Sequence, residues 1–389
     1  MNKLFAVPFL IFLSCQPNKE TFGDDLEFLE KYTSIITLSK ENSHVILSPL
    51  LQGRVLTSSS QGLQGRSYGW FNKKLIKEGF KEKNNALGGE DRIWFGPEFG
   101  PYSIFFKAGD EMTGANIRVP APIDSEPFEL VSQTKSSVKM KKEMVLTNYQ
   151  NYDFEIELKR KVSLLDKSSI LSVLDIEGDE SFSSVGFVSE NILINRGDSA
   201  WSKQTGLLSI WTLGGFPPSK KLTVVMPLRQ STDSIVNYWS EVDESRLKIE
   251  GKIAYYKGDA EHLHKIGIPS PLAVPILGSY DPERGVLTIV KYTFRGDSTY
   301  VNSLWDHHAK PYEGDVINVF NDGPTDDGAG PFGPFYELET SSSTRELSPG
   351  DSIVHEHFTF HFEGDGKTLS KISDSLLGVS IEEIEQIFK

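Results

Sequence analysis

A period of two is the feature that most constrains this chain. In residues 153–159 (DFEIELK), Phe154, Ile156 and Leu158 alternate with Glu155, Glu157 and Lys159. Successive side chains of an extended strand point to opposite faces, so such a run is a half-buried strand and not a helix. Short β-branched or aliphatic runs come first at 34–38, 44–47 and 54–57. Others follow at 162–165, 170–176, 185–195, 207–213, 222–227, 251–256, 286–294 and 300–305, with turn residues between them. That rhythm predicts a mainly β protein, a large antiparallel β-sandwich. Helices are expected at 24–32, where Leu26 and Leu29 follow an acidic first turn, at 72–82, and at 369–388 with a break at Gly378. No repeat of fixed period and no interdomain linker appears, so residues 24–389 are expected to form one domain with short terminal helices.

Composition narrows the partners. Apolar and charged fractions of 38% and 24% are those of a folded globular chain. The formal charge of −14 argues against nucleic acid, whose phosphates require a basic surface. It is compatible with a neutral ligand such as a sugar. At the N-terminus, Lys3 precedes an apolar run over 4–13 that is interrupted by Pro8 and followed by Ser14 and Cys15. The run is too short to span a bilayer but has the length of a signal-peptide core. Cys15 is the only cysteine, so no internal disulfide forms. A small residue before a lone cysteine at this place resembles a bacterial lipoprotein cleavage site. The expectation is a signal peptide over 1–14, a lipidated tether over 15–23, and contact with membrane through that anchor alone. The mature protein would then lie in the cell envelope, periplasmic or associated with the outer membrane.

Two stretches concentrate chemistry. Residues 333–362 contain two strand-like runs around the turn Pro349-Gly350. In the first, Phe335, Glu337, Glu339 and Ser341 share a face. In the second, Ile353, His355, His357, Thr359 and His361 share one face, and Val354, Glu356, Phe358, Phe360 and Phe362 share the other, the expected core side. The two strands are expected in one sheet. Carboxylates and imidazoles are the groups that move protons near neutral pH. The second stretch, 85–107, sets Glu90, Asp91, Arg92, Trp94 and Glu98 among glycines and prolines and is expected to be a shaped loop. A tryptophan beside charged hydrogen-bonding groups can cover the C–H face of a sugar while the polar groups take its hydroxyls.

SPLLQGRVLTSSS (48–60), GGEDRIWFGPEFG (88–100), FYELETSS (335–342) and LSPGDSIVHEHFTFHF (347–362) together resemble the galactose-mutarotase-like superfamily, of the aldose 1-epimerase type. More narrowly, GGEDRIWFGPE, SENILINRGDSAW, LLSIWTLGGF, YVNSLWD, NDGP and ELET are similar to an uncharacterised family of bacterial exported lipoproteins within that superfamily. The resemblance implies a β-supersandwich with a sugar cleft on its concave sheet face. Aldose 1-epimerases interconvert anomers: a glutamate takes the anomeric hydroxyl proton, and a histidine protonates the ring oxygen. Matching residue by residue places Glu339 at the base position, with Glu337 as the alternative. Trp211 stands where the family's histidine would be, and indole cannot supply that proton. His357 is then the expected substitute acid. Arg92, Trp94, Glu90, Glu98, Trp211 and Asn321 are the expected substrate-binding residues, and a mono- or oligosaccharide the expected partner. Non-catalytic sugar binding, and glycan cleavage between two carboxylates, remain open alternatives.

No cofactor is expected. Asn321-Asp322-Gly323 and Asp326-Asp327-Gly328 form an acidic loop whose oxygens would suit calcium, although a plain turn accounts for them as well. His355 and His357 alternate as zinc ligands on a strand can, but His361 lies too far along to join them. Residues 366–368, 328–333 and 65–69 spell parts of a P-loop, a dinucleotide fingerprint and a nucleophile elbow. The first has His361 where the first glycine of a P-loop belongs, and the other two lack the flanking strand or helix their motifs need.

Overall fold

The computed structural model describes residues 20–82, 84–177, 182–239, 241–296, 299–306, 309–324 and 330–389. The expected signal peptide, Cys15, Asp326 and Asp327 lie outside them. The first elements are α1 (Phe22–Tyr32), β1 (Ile36–Lys40), β2 (Ser43–Ser48), β3 (Arg54–Ser59), α2 (Lys73–Glu78), β4 (Arg92–Gly96) and α3 (Ala121–Asp124). Next come β5 (Glu129–Gln133), β6 (Ser137–Thr147), β7 (Asp153–Leu164), α4 (Lys167–Leu174), β8 (Phe182–Asn195), β9 (Ser209–Phe216), β10 (Thr223–Pro227), β11 (Val236–Asn237), β12 (Leu247–Glu250) and β13 (Ile253–Lys257). The chain ends with β14 (His264–Pro269), β15 (Ile276–Asp281), β16 (Val286–Tyr292), β17 (Asp315–Asn321), β18 (Tyr336–Ser341), β19 (Ser352–Gly364), α5 (Gly366–Leu377) and α6 (Ile381–Gln386).

These strands build a ten-stranded sheet, β12-β13-β10-β15-β16-β19-β8-β7-β6-β5, and a six-stranded sheet, β11-β14-β17-β18-β9-β4. A third sheet, β1-β2-β3, stands beside them. Every named pairing is antiparallel. The two large sheets pack face to face as a sandwich. Phe154, Ile156 and Leu158, the apolar side of the alternating run, are buried in a core that also takes Ile93, Phe95 and Ile210 of the small sheet. A second inter-sheet core joins Val224, Met226 and Leu277 to Ile266, Ile317, Val319 and Leu338. The outer face of the large sheet is covered by α4, α5 and α6 over Leu287, Ile289, Phe360 and Phe362. Helix α5 ends where Gly378 takes a φ of 74°, as a left-handed C-cap favours.

Three expectations about elements are corrected. Residues 170–176 do not form a strand: they belong largely to α4, because Asp166 caps the helix by accepting from Ser169 N. Residues 300–305 are irregular, with Tyr300 making an isolated bridge to Glu313. The expected loop 85–107 contains a strand, β4, paired along its length with β9. The glutamate and histidine strands also belong to different sheets, β18 to the small one and β19 to the large one. The histidine face of β19 therefore looks into the sandwich, and its phenylalanine face looks under the helices. Val354, expected in the core, is exposed near the start of that strand.

Candidate functional site

The polar residues gather on the face of the six-stranded sheet turned away from the large sheet. Residues opposite each other in a ladder share a face. Glu339 lies opposite Leu213 and Asn318, and Glu337 opposite Gly215 and Phe320. Arg92 lies opposite Leu213 and Trp94 opposite Trp211. On the far side Lys265 lies opposite Phe320 and Gly267 opposite Asn318. Four strands from widely separated parts of the chain thus bring Arg92, Trp94, Trp211, Glu337, Glu339 and Lys265 onto one surface. A bulge in the β14–β17 ladder, between Ile268 and Pro269, breaks the alternation. It lets Asp315 join this side while Val316 and Ile317 both enter the core. Tyr238 OH donates to Asp315 Oδ2 at 3.0 Å.

Two ion pairs organise the surface. Arg92 donates to Glu337 Oε1 at 2.9 Å, and its guanidinium lies 4.1 Å from the centre of the Trp94 ring. Lys265 Nζ is 3.1 Å from Glu339 Oε2, 3.9 Å from Glu98 Oε2 and 4.2 Å from the centre of the Trp211 ring. Trp211 Nε1 also donates to Glu339 Oε2, at 2.9 Å. The Trp94 and Trp211 rings meet edge to face, 5.6 Å between centres. Glu339 is 1% exposed. Burial pushes its carboxyl up to about 7; Lys265 opposes the rise, and the Glu337 charge adds to it. Burial likewise raises Asp315 to about 7, against the opposing hydrogen bond from Tyr238 and the charge of Lys265.

The surface also holds polar groups that the chain leaves unmet. Arg92 Nε, Trp94 Nε1, Glu98 Oε2 and Trp305 Nε1 are shut away from water with no hydrogen-bond partner among the described residues. Native chains pair nearly all such groups, so a cluster of them marks a place where a polar ligand would complete the bonding. The segment carrying Trp305 packs onto the β4 end: its ring stacks on Phe99 at 4.9 Å, and Ser303 Oγ accepts from Glu98 N at 3.0 Å. Arg92, Trp94 and Glu98 keep partial exposure and form the side open to solvent.

Three of the expected site residues lie elsewhere. His357 faces the interior, where Thr340 Oγ1 lies 2.8 Å from both His357 Nδ1 and His355 Nε2. Thr340 follows Glu339 in a strand, so the two side chains point to opposite faces, and His357 does not converge with Glu339 and Arg92. Burial also pushes His357 down to about 4 and His355 to about 3, which keeps both rings neutral at physiological pH. Glu90 is held in the core by Ser58, whose N–H and hydroxyl donate to it, and by His361 Nε2 at 3.2 Å. Asn321 pins a turn: its Oδ1 accepts from Ala260 N at 2.9 Å, and its Nδ2 donates to His262 O at 2.8 Å. Asp322 of the acidic loop accepts from Phe332 N and Gly333 N, with one carboxylate oxygen for each.

Lys265, Tyr238, Asp315 and Asn318 were not marked as site residues by the sequence. A signal existed for Lys265, a lone cation inside the apolar alternating run 264–269. None existed for Asp315, whose face depends on the bulge.

Solved structures share the architecture. The Slr1438 protein from Synechocystis sp. PCC 6803 superposes with a TM-score of 0.50 at 12% identity, covering 86% of this chain and 96% of that one. This likeness is one of fold alone. A galactose mutarotase-like protein from Lactobacillus casei ATCC 334 gives a TM-score of 0.49 at 11% identity, with 85% and 100% covered. A galactose mutarotase related enzyme from Lactobacillus acidophilus gives 0.43 at 8%, with 85% and 98% covered. No curated protein matches the chain. A family model spans residues 20–388, and the chain accordingly belongs to a family of unknown function, DUF6786.

Proposed function

We propose that the protein binds a sugar on the outer face of the six-stranded sheet, and that Glu339 and Lys265 carry out acid/base chemistry of the aldose 1-epimerase kind on it. The observation that carries this reading is Glu339, a fully buried carboxyl raised to about 7 and set between an ammonium and an indole N–H. A general base works best when its pKa lies near the working pH. In the proposed step Glu339 takes the proton of the anomeric hydroxyl, and Lys265 gives one to the ring oxygen. The C1–O5 bond breaks, the aldehyde rotates, and the reverse transfers close the ring as the other anomer. Atoms and protons balance without a cofactor. Trp94, only partly buried, offers aromatic surface to the sugar's C–H face with Trp211 packed behind it, and the unmet N–H groups of Arg92, Trp94 and Trp305 take its hydroxyls. The motifs that resemble aldose 1-epimerases, ELET above all, support the role of Glu339.

A second reading is binding without turnover. It is favoured by the full engagement of Glu339 Oε2 by both Lys265 and Trp211, and by an indole standing where those epimerases carry a histidine. One experiment separates the two: anomer exchange followed by NMR for a panel of free aldoses, alongside thermal shifts with the same sugars. The enzyme reading expects faster exchange with the wild type, lost in Glu339→Gln while the thermal shift survives. Thermal shifts without faster exchange would leave binding alone, and a panel that shifts neither protein would end both readings. The reading also includes export, with residues 1–14 as signal peptide and Cys15 as the lipid-bearing residue of a cell-envelope protein.

A further inference from the structure

The site continues along the sheet as a run of aromatic rings, and the geometry points to a neutral oligosaccharide, presented by its reducing end, as the ligand. The inference rests on the sugar-binding reading above and names the class of sugar. Phe320 is the joint. It lies opposite Lys265 in one ladder and opposite Glu337 in the next, so its ring stands on the site face between the two ion pairs. From there the rings lead outward. Trp239 meets Phe320 edge to face at 6.0 Å, and Phe335 lies 5.5 Å from Phe320 on the other side, itself stacked on Trp70 at 4.4 Å.

Exposure shows which part of this run is structural. Phe335 and Phe320 are nearly buried, at 5% and 9%, and Trp70 is half-buried, so they hold the shelf in place. Trp239 is 41% exposed and is the one tryptophan in the exposed class among the described residues. An exposed indole beside a polar site is able to stack on the C–H face of a sugar. A single sugar seated against Trp94, with its anomeric carbon at Glu339, does not extend to Trp239. Further units linked to that sugar would leave the site over Phe320 and stack on the exposed indole. The run is built of apolar rings and the chain carries a formal charge of −14, which favours an uncharged glycan over an anionic one.

The test is calorimetric titration of the whole protein with length series of neutral sugars: glucose, maltose and maltotriose; glucose, cellobiose and cellotriose; xylose, xylobiose and xylotriose; mannose, mannobiose and mannotriose. In at least one series the trisaccharide is expected to bind the wild type about tenfold more tightly than the monosaccharide, a difference of about 1.4 kcal/mol. Trp239→Ala should reduce that ratio to below about twofold, and Trp239→Phe, which keeps a ring, should retain most of it. A monosaccharide that binds as tightly as its trisaccharide, or a length preference that survives Trp239→Ala, would overturn this inference and leave the sugar-binding reading standing. No binding by a sugar of any length would overturn both. Circular dichroism and melting of the variants exclude a folding defect as the cause.

Discussion

Replacing Glu339 with glutamine tests whether this carboxyl is as desolvated as its surroundings require. Its pKa rises from 4.5 to about 7 because burial outweighs the attraction of Lys265. The folded chain therefore holds this proton more tightly than the unfolded chain does. Its contribution to stability is fully present below about pH 4.5 and is lost as the pH rises through about 7. At about 1.4 kcal/mol for each pH unit between the two values, the loss amounts to roughly 3 kcal/mol. Glutamine is nearly isosteric with the protonated acid and does not titrate. His355 and His357, against the other face of the six-stranded sheet, titrate in both proteins, so their contributions largely cancel in the difference. The stability of Glu339→Gln relative to wild type should then rise by roughly 3 kcal/mol between pH 4.5 and pH 8. Urea unfolding at a series of pH values measures it. A difference that stays flat, or falls as the pH rises, would show that Glu339 ionises as an ordinary carboxylate, and the acid/base role assigned to it would lose its physical basis.

Two further perturbations follow from the same surface, and one from the N-terminus. Lys265→Met leaves Glu339 buried without its cation and should cost about 3–5 kcal/mol at pH 8, read from urea unfolding, with a smaller loss at pH 5, where the acid is protonated; a loss below about 1 kcal/mol at pH 8 would mean the pair is not buried. Gly267→Ala would put a methyl carbon 2.0 Å from Asp315 Oδ2. Asp315 must move, the bond from Tyr238 is lost, and the expected cost is about 1–3 kcal/mol; unchanged stability would mean that the bulge does not hold Asp315 on this side. Cys15→Ala should move the protein from the membrane fraction to the soluble envelope fraction, since the acyl chains on one cysteine are the expected anchor; membrane retention of the variant would count against a lipid attached there.

The sequence and the structure agree where one strand's own pattern decides the outcome. Phe154, Ile156 and Leu158 are buried and Glu155 and Lys159 exposed as the alternation requires, with Glu157 of the outward set covered by Arg196, because a period of two is a property of a single strand. Sheet membership is not such a property. Glu339 and His357 lie 18 positions apart in sequence yet face different layers, whereas Arg92 and Glu337, 245 positions apart, form an ion pair. In the sequence the histidine face of β19 looks reactive because its other face is apolar enough to be the core. The histidine face is in fact buried under the small sheet, and the other face is buried under α4–α6 at Phe360 and Phe362, so the strand can use histidines as interior hydrogen-bonding groups, as Thr340 shows. The histidines thus support the fold, and the buried cation beside Glu339 is a lysine that alternation alone gives no reason to single out. What makes Lys265 conspicuous is its surroundings: a cation 4% exposed, between two carboxylates and over an indole ring, is costly to bury and is retained only where its partners hold it. Those partners come from the turn after β4, from β9 and from β18, so the site exists only once the order of strands in the six-stranded sheet has been set.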